Sequence, residues 1–133
     1  MAAHPHRALI AVVDDDPGML ESIASLLNSA DYEVRLFATA TALLETSDLS
    51  EVDCLISDVA MPVMDGLELA RAVQGARPAL PIILITGRPE LLRGSPLAGL
   101  GQYRVFKKPF DGQALLAALT LMVKTPRPRA PRS

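Results

Sequence analysis

The sequence predicts an α/β domain built on a doubly wound parallel sheet. Short apolar runs rich in β-branched residues recur five times along its 133 residues, and segments with helical spacing of apolar side chains separate them. Three of the runs are nearly continuously apolar, as strands buried on both faces are. A β, α order repeated five times argues for right-handed crossovers and helices on both faces of one sheet.

The runs are 8–13 (ALIAVV), 33–37 (EVRLF), 53–57 (DCLIS), 81–86 (PIILIT) and 103–107 (YRVFK). The first, third and fourth should be central, leaving the other two at the edges. Between the first two, PGMLESIASLLNSA places Met19, Ile23, Leu26 and Leu27 on one stripe, with Pro17 suited to a first helical turn. TATALLETSDL predicts a shorter helix, and GLELARAVQGA one that buries Leu67, Ala70 and Val73. The stretch 89–101 is interrupted by Gly94, Pro96, Gly99 and Gly101, which predicts a short or irregular element. DGQALLAALTLMVK closes the pattern, with Asp111 placed as its N-cap.

Composition narrows the class. Half the residues are apolar, 21% are charged and the formal net charge is -2, which excludes a disordered or nucleic-acid-coating chain. Cys54 is the only cysteine, so an internal disulfide is excluded and a small core hydrophobe is expected. No run approaches the roughly 20 apolar residues of a membrane span, and the first ten residues hold no secretory h-region, so a cytoplasmic location is expected. Residues 1–7, with His4 and His6, read as a flexible leader, 8–124 as the domain, and 125–133 (TPRPRAPRS) as a disordered tail or linker. Arg127, Arg129 and Arg132 offer too little counterion release for a nucleic-acid arm.

In a parallel sheet, ligands gather at the carboxyl ends of the strands. Those ends carry Asp14, Asp15 and Asp16 after the first run, Asp58 after the third, Thr86 after the fourth and Lys108 after the fifth. Carboxylates, a hydroxyl and an ammonium on one rim suit a hard divalent cation together with a phosphoryl group, and Mg2+ needs only two or three carboxylates. Asp58 stands alone before VAMPVMDG, whose proline and Asp-Gly pair force a turn expected to leave the carboxylate exposed, so Asp58 is the candidate nucleophile. Lys108 would neutralise charge on the transferring group and Thr86 would bond one of its oxygens.

VVDDD, LISDVAMPVMDG, ILITG and FKKPF, in that order and spacing, resemble the receiver domain of two-component response regulators, in the CheY-like superfamily and of the FixJ type. The resemblance covers residues 8 to 124 and implies a (βα)5 flavodoxin-like fold with strand order 2-1-3-4-5. It makes Asp58 the phosphoacceptor and Asp14 and Asp15 the acidic pair for Mg2+, joined by Asp58 and the backbone carbonyl of Ala60. It makes Thr86 the switch hydroxyl and Lys108 the lysine before a cis-proline, Pro109. The phosphoryl group would come from a histidine kinase or phosphotransfer protein, and the domain would catalyse only its own phosphorylation and dephosphorylation.

Three features depart from the family pattern. The switch aromatic's place is taken by Val105, with Tyr103 two residues earlier and Phe106 one later; Ala60 and Arg88 stand where the family tunes phosphate lifetime; and the fourth helix is broken. The expected output is a changed face of helix 4, strand 5 and helix 5 toward a downstream protein or a lost or truncated output domain, with phosphorylation-dependent homodimerisation as a further form. No direct nucleic-acid or membrane contact is expected. Two alternatives stand beside this reading: a Mg2+-dependent phosphatase of the haloacid-dehalogenase type, which also uses an aspartate nucleophile, and a degenerate receiver that only binds a partner. For Asp14 and Asp15 the bland reading is an N-cap cluster; Asp16 has no assigned role beyond the charge it brings to a helix start.

Overall fold

The computed structural model describes residues 7–46, 48–92 and 97–123. The parallel sheet has strands β1 (Leu9–Val13), β2 (Glu33–Phe37), β3 (Cys54–Asp58), β4 (Ile82–Thr86) and β5 (Tyr103–Lys107), arranged 2-1-3-4-5. Helices α1 (Pro17–Ser29), α2 (Ala40–Thr46), α3 (Gly66–Ala76) and α4 (Gly112–Met122) cover it. Within the described part of the interrupted segment, Pro89–Leu92 forms a short 3-10 turn, in keeping with the irregular element its glycines and proline predict. The expected leader and tail lie outside the described residues except for Arg7, whose guanidinium meets Asp31 at 3.3 Å.

The alternation of side chains along each strand divides the core in two. Leu9, Ala11, Val13, Leu55, Ile82 and Leu84 face α2 and α3. Ile10, Val12, Ile56, Ile83 and Ile85 face α1 and α4. β1, β3 and β4 are buried at every position, whereas β2 and β5 have no fully buried position and are each exposed at two, as edge strands are. Cys54 packs at 0% exposure on the α1, α4 side, and burial pushes its thiol far up. On α3 the buried residues are Gly66, Leu69, Ala70, Val73 and Gln74, while the expected Leu67 is only half buried. The stripe is centred between positions 69 and 70, so Leu67 falls on its margin.

The end of the sheet opposite the strand carboxyl termini is held by polar side chains bonded to backbone. Asp53 accepts from the Leu9 N–H at 2.8 Å. Gln74 donates to the carbonyls of Leu80 and Gln102 and accepts from the Gly101 N–H at 2.7 Å. Arg77 donates to the carbonyls of Leu49 and Val52. Each settles backbone groups at this end of the sheet, in β1 for Asp53 and in the connecting segments for Gln74 and Arg77, that would otherwise be costly to bury.

Candidate phosphoacceptor site

β1, β3 and β4 end level with one another, so Asp14, Asp58 and Thr86 reach one rim through short buried strands. Lys108 joins them because its N–H donates to the Thr86 carbonyl at 2.8 Å, continuing the β4–β5 ladder. The Lys108–Pro109 peptide is cis.

Oxygens of Asp14, Asp15 and Asp58 lie within 4.8 Å of one another. Asp14 and Asp58 are 1% and 6% exposed, and Asp15 is open to solvent. The turn after β3 therefore does not leave Asp58 exposed as expected. The residue completes the strand opposite Ile85, and Lys108 Nζ covers its Oδ1 at 3.0 Å while standing 3.8 Å from Asp14 Oδ2. Burial holds Asp14 above the ordinary carboxylate value; the Asp16 N–H donated to its Oδ1 and the Lys108 charge oppose the shift, and the charges of Asp58 and Asp15 add to it. For Lys108 burial works downward, but the hydrogen bond and charge of Asp58 outweigh it and raise the ammonium above its usual value. Three hard oxygen donors around one ammonium fit a divalent cation such as Mg2+, and fit poorly with any soft metal.

Asp16 has a definite place: it is the N-cap of α1, accepting from the Gly18 N–H at 2.9 Å. The capping role considered for Asp14 and Asp15 thus belongs to the third aspartate. Asp65 and Glu68 form a capping box at α3 that the Asp-Gly pair had signalled only as a turn. Between them and Asp58, Met64 N–H donates to the Pro62 carbonyl across Val63, whose φ of 71° and 97% exposure make a strained apex. Ala60, in the same loop, is exposed.

Thr86 is buried, and its Oγ1 accepts from the Arg88 N–H at 3.0 Å. The Arg88 guanidinium meets Glu90 at 3.4 Å, outside the carboxylate cluster. Val105 packs opposite Leu84 and Tyr103 opposite Ile82. Tyr103 therefore stands four strand positions from Thr86's level, about 13 Å along the sheet, and cannot replace an aromatic at position 105.

Residues 10–120 match the family profile described as response regulator receiver domain. The chain is 33% identical over 121 residues to the transcriptional regulatory protein FixJ of Bradyrhizobium diazoefficiens, covering 91% of this chain and 59% of that protein. It is 35% identical over 118 residues to the response regulator protein TmoT of Ectopseudomonas mendocina, covering 89% and 54%. It spans a little over half the length of these relatives. Among solved structures it is similar to the chemotaxis protein CheY4 of Vibrio cholerae, with a TM-score of 0.78, 30% identity, and 87% and 98% of the two chains covered. It is also similar to the response regulator StyR, with a TM-score of 0.80, 32% identity, and 89% and 60% covered. Neither the phosphatase nor the binding-only alternative is favoured by these likenesses.

Proposed function

The chain belongs to the family of response regulator receiver domains, a signalling domain and not a classical enzyme, and on that premise we propose that Asp58 accepts its phosphoryl group. The observation that carries the proposal is the buried Asp58 carboxylate, set among Asp14 and Asp15 with Lys108 Nζ at 3.0 Å from its Oδ1. In the transfer, an Asp58 oxygen forms a bond to phosphorus as the phosphorus–nitrogen bond of a phosphohistidine breaks. The departing imidazole keeps the electron pair, and the product is an acyl phosphate.

Asp14, Asp15, Asp58 and the Ala60 carbonyl would hold Mg2+, which when bound neutralises charge on the transferring group. Lys108 moves its charge from carboxylate to phosphoryl oxygen over a short path, and the Thr86 hydroxyl bonds another of those oxygens. Water attacking the same phosphorus returns the carboxylate and inorganic phosphate. Residues 8–124 form the receiver, with 1–7 as leader and 125–133 as linker or tail.

The switch is read out on the face made by Pro89–Leu92, β5 and α4, because Thr86 and Lys108 both leave from strands that border it. The donor is a histidine kinase or phosphotransfer protein, and the recipient of the signal is a downstream protein or an output domain. Incubation with acetyl phosphate and Mg2+ should add one phosphoryl group by intact mass, with none on Asp58→Asn. Undiminished labelling of that variant overturns the assignment.

A further inference from the structure

We propose that Ser57 and Gly66 are positioning residues that fix the two peptide planes linking the Asp58 carboxylate to the Ala60 carbonyl. The inference rests on the reading of Asp58 as phosphoacceptor and of Ala60 as a metal ligand. The Asp58–Val59 peptide is held on every side. Ser57, fully buried, donates its Oγ hydrogen to the Asp58 carbonyl at 2.9 Å, and the Val59 N–H donates to the Ile85 carbonyl at 2.9 Å. Gly66 closes the remaining side: a Cβ there would lie 2.1 Å from the Asp58 oxygen and 2.9 Å from both the Asp58 carbonyl carbon and Val59 Cα. The following plane is held by the same residue, whose N–H donates to the Val59 carbonyl at 2.9 Å.

These contacts set ψ of Asp58 and the course of the chain through Val59, and hence both the direction of the Asp58 side chain and where the Ala60 carbonyl is presented. Gly66 itself is anchored as the first residue of α3 by the Asp65–Glu68 capping box. Any side chain at 66 must push α3 away from the site or tilt the Asp58 peptide. Neither Ser57 nor Gly66 offers a group to the reacting atoms; their effect is on geometry, to which metal ligation and phosphoryl transfer are steeply sensitive.

The test measures Mg2+ affinity by calorimetric titration and, separately, the initial rate of phosphorylation by acetyl phosphate at saturating Mg2+, together with thermal stability. Ser57→Ala and Gly66→Ala should each weaken Mg2+ binding about tenfold and slow phosphorylation, and Ser57→Thr, which keeps the hydroxyl, should restore both. If both variants keep Mg2+ affinity and rate within about twofold of wild type while losing thermal stability, the two residues are structural only and the proposal fails. Equal damage from Ser57→Thr and Ser57→Ala removes the role of the hydroxyl. Should Gly66→Ala not fold, the Ser57 pair decides. A wild type that binds Mg2+ but takes no phosphoryl group defeats the phosphoacceptor reading instead, and the Mg2+ affinities of the variants still decide this one.

Discussion

Asp53 and Asp58 bracket the same buried strand, and both are almost wholly removed from water, at 5% and 6% exposure. Asp53 accepts from a backbone N–H of β1 that cannot move without opening the sheet. Asp58 faces a lysine side chain and two further carboxylates, all of which can be rearranged by a bound ion or group. The difference teaches that burial alone does not distinguish a structural carboxylate from a reactive one. The partner does: fixed backbone holds a fold together, whereas side chains that can exchange partners leave chemistry open.

The sharpest break of this contrast comes from Asp14→Asn. It should weaken Mg2+ affinity by about tenfold or more, because a ligand is lost. The same change should stabilise the metal-free protein by about 1 kcal/mol, because an ionised group is removed from a buried, repulsive cluster. Calorimetric titration and urea unfolding read the two effects. A loss of stability without metal would place Asp14 with Asp53 as a structural group.

Asp53→Ala should do the reverse, costing about 2 kcal/mol in urea unfolding by leaving the Leu9 N–H without its acceptor. Mg2+ affinity should stay within about twofold of wild type, since distant sites act independently. A parallel fall in affinity would show that the two ends of β3 are coupled.

pH sharpens the comparison further. Asp14's folded pKa is raised, so its contribution to stability is fully present below the ordinary value of 3.8 and is lost as pH rises through the folded one. Mg2+, binding the ionised form, should recover that loss at neutral pH and lose about tenfold in affinity per pH unit once Asp14 protonates, starting above 3.8. Lys108 acts at the other extreme: its stabilisation is fully present below 10.5 and is lost as pH rises through its higher folded value. Melting temperature against pH, with and without Mg2+, checks both. A Mg2+ effect that is flat across the acid range counts against Asp14 as the titrating ligand.

The smallest effect is expected at Val63. Replacing it by glycine removes the cost of a β-branched residue at a φ of 71°, less the added freedom of the unfolded chain, for a net gain of about 0.5 kcal/mol. Urea unfolding detects it, and no gain would mean that the turn carries no strain.

The sequence made the fold legible because continuous burial leaves an unmistakable pattern: ALIAVV, DCLIS and PIILIT can be little other than central strands, and all three are. The residues at their ends followed from topology alone, and Asp14, Asp15, Asp58 and Lys108 do meet at one rim. What stayed hidden depends on contacts between segments remote in sequence. The burial of Asp58 was missed because the residue completes β3 beside β4 and lies under Lys108 from the far edge of the rim, neither of which the turn signal that follows it reveals. Gly66 looked like half of a turn, yet its lack of a Cβ answers to a carbonyl eight positions away. Gln74 and Arg77 gave no signal as binders of loop carbonyls, because a polar residue near a helix end is ordinarily solvated. Asp16 could have been found: an aspartate immediately before Pro17 is a strong N-cap signature.

The burial of Cys54 turns the central strand into its own reporter. The chain has a single thiol, and it lies at 0% exposure in β3, held protonated by its surroundings. A thiol reagent therefore modifies the native protein only as fast as the sheet opens, and each modification event counts one excursion of β3 into water. Any ligand that binds the rim of that strand slows the clock in proportion to its occupancy, so the protein can be timed without an added label.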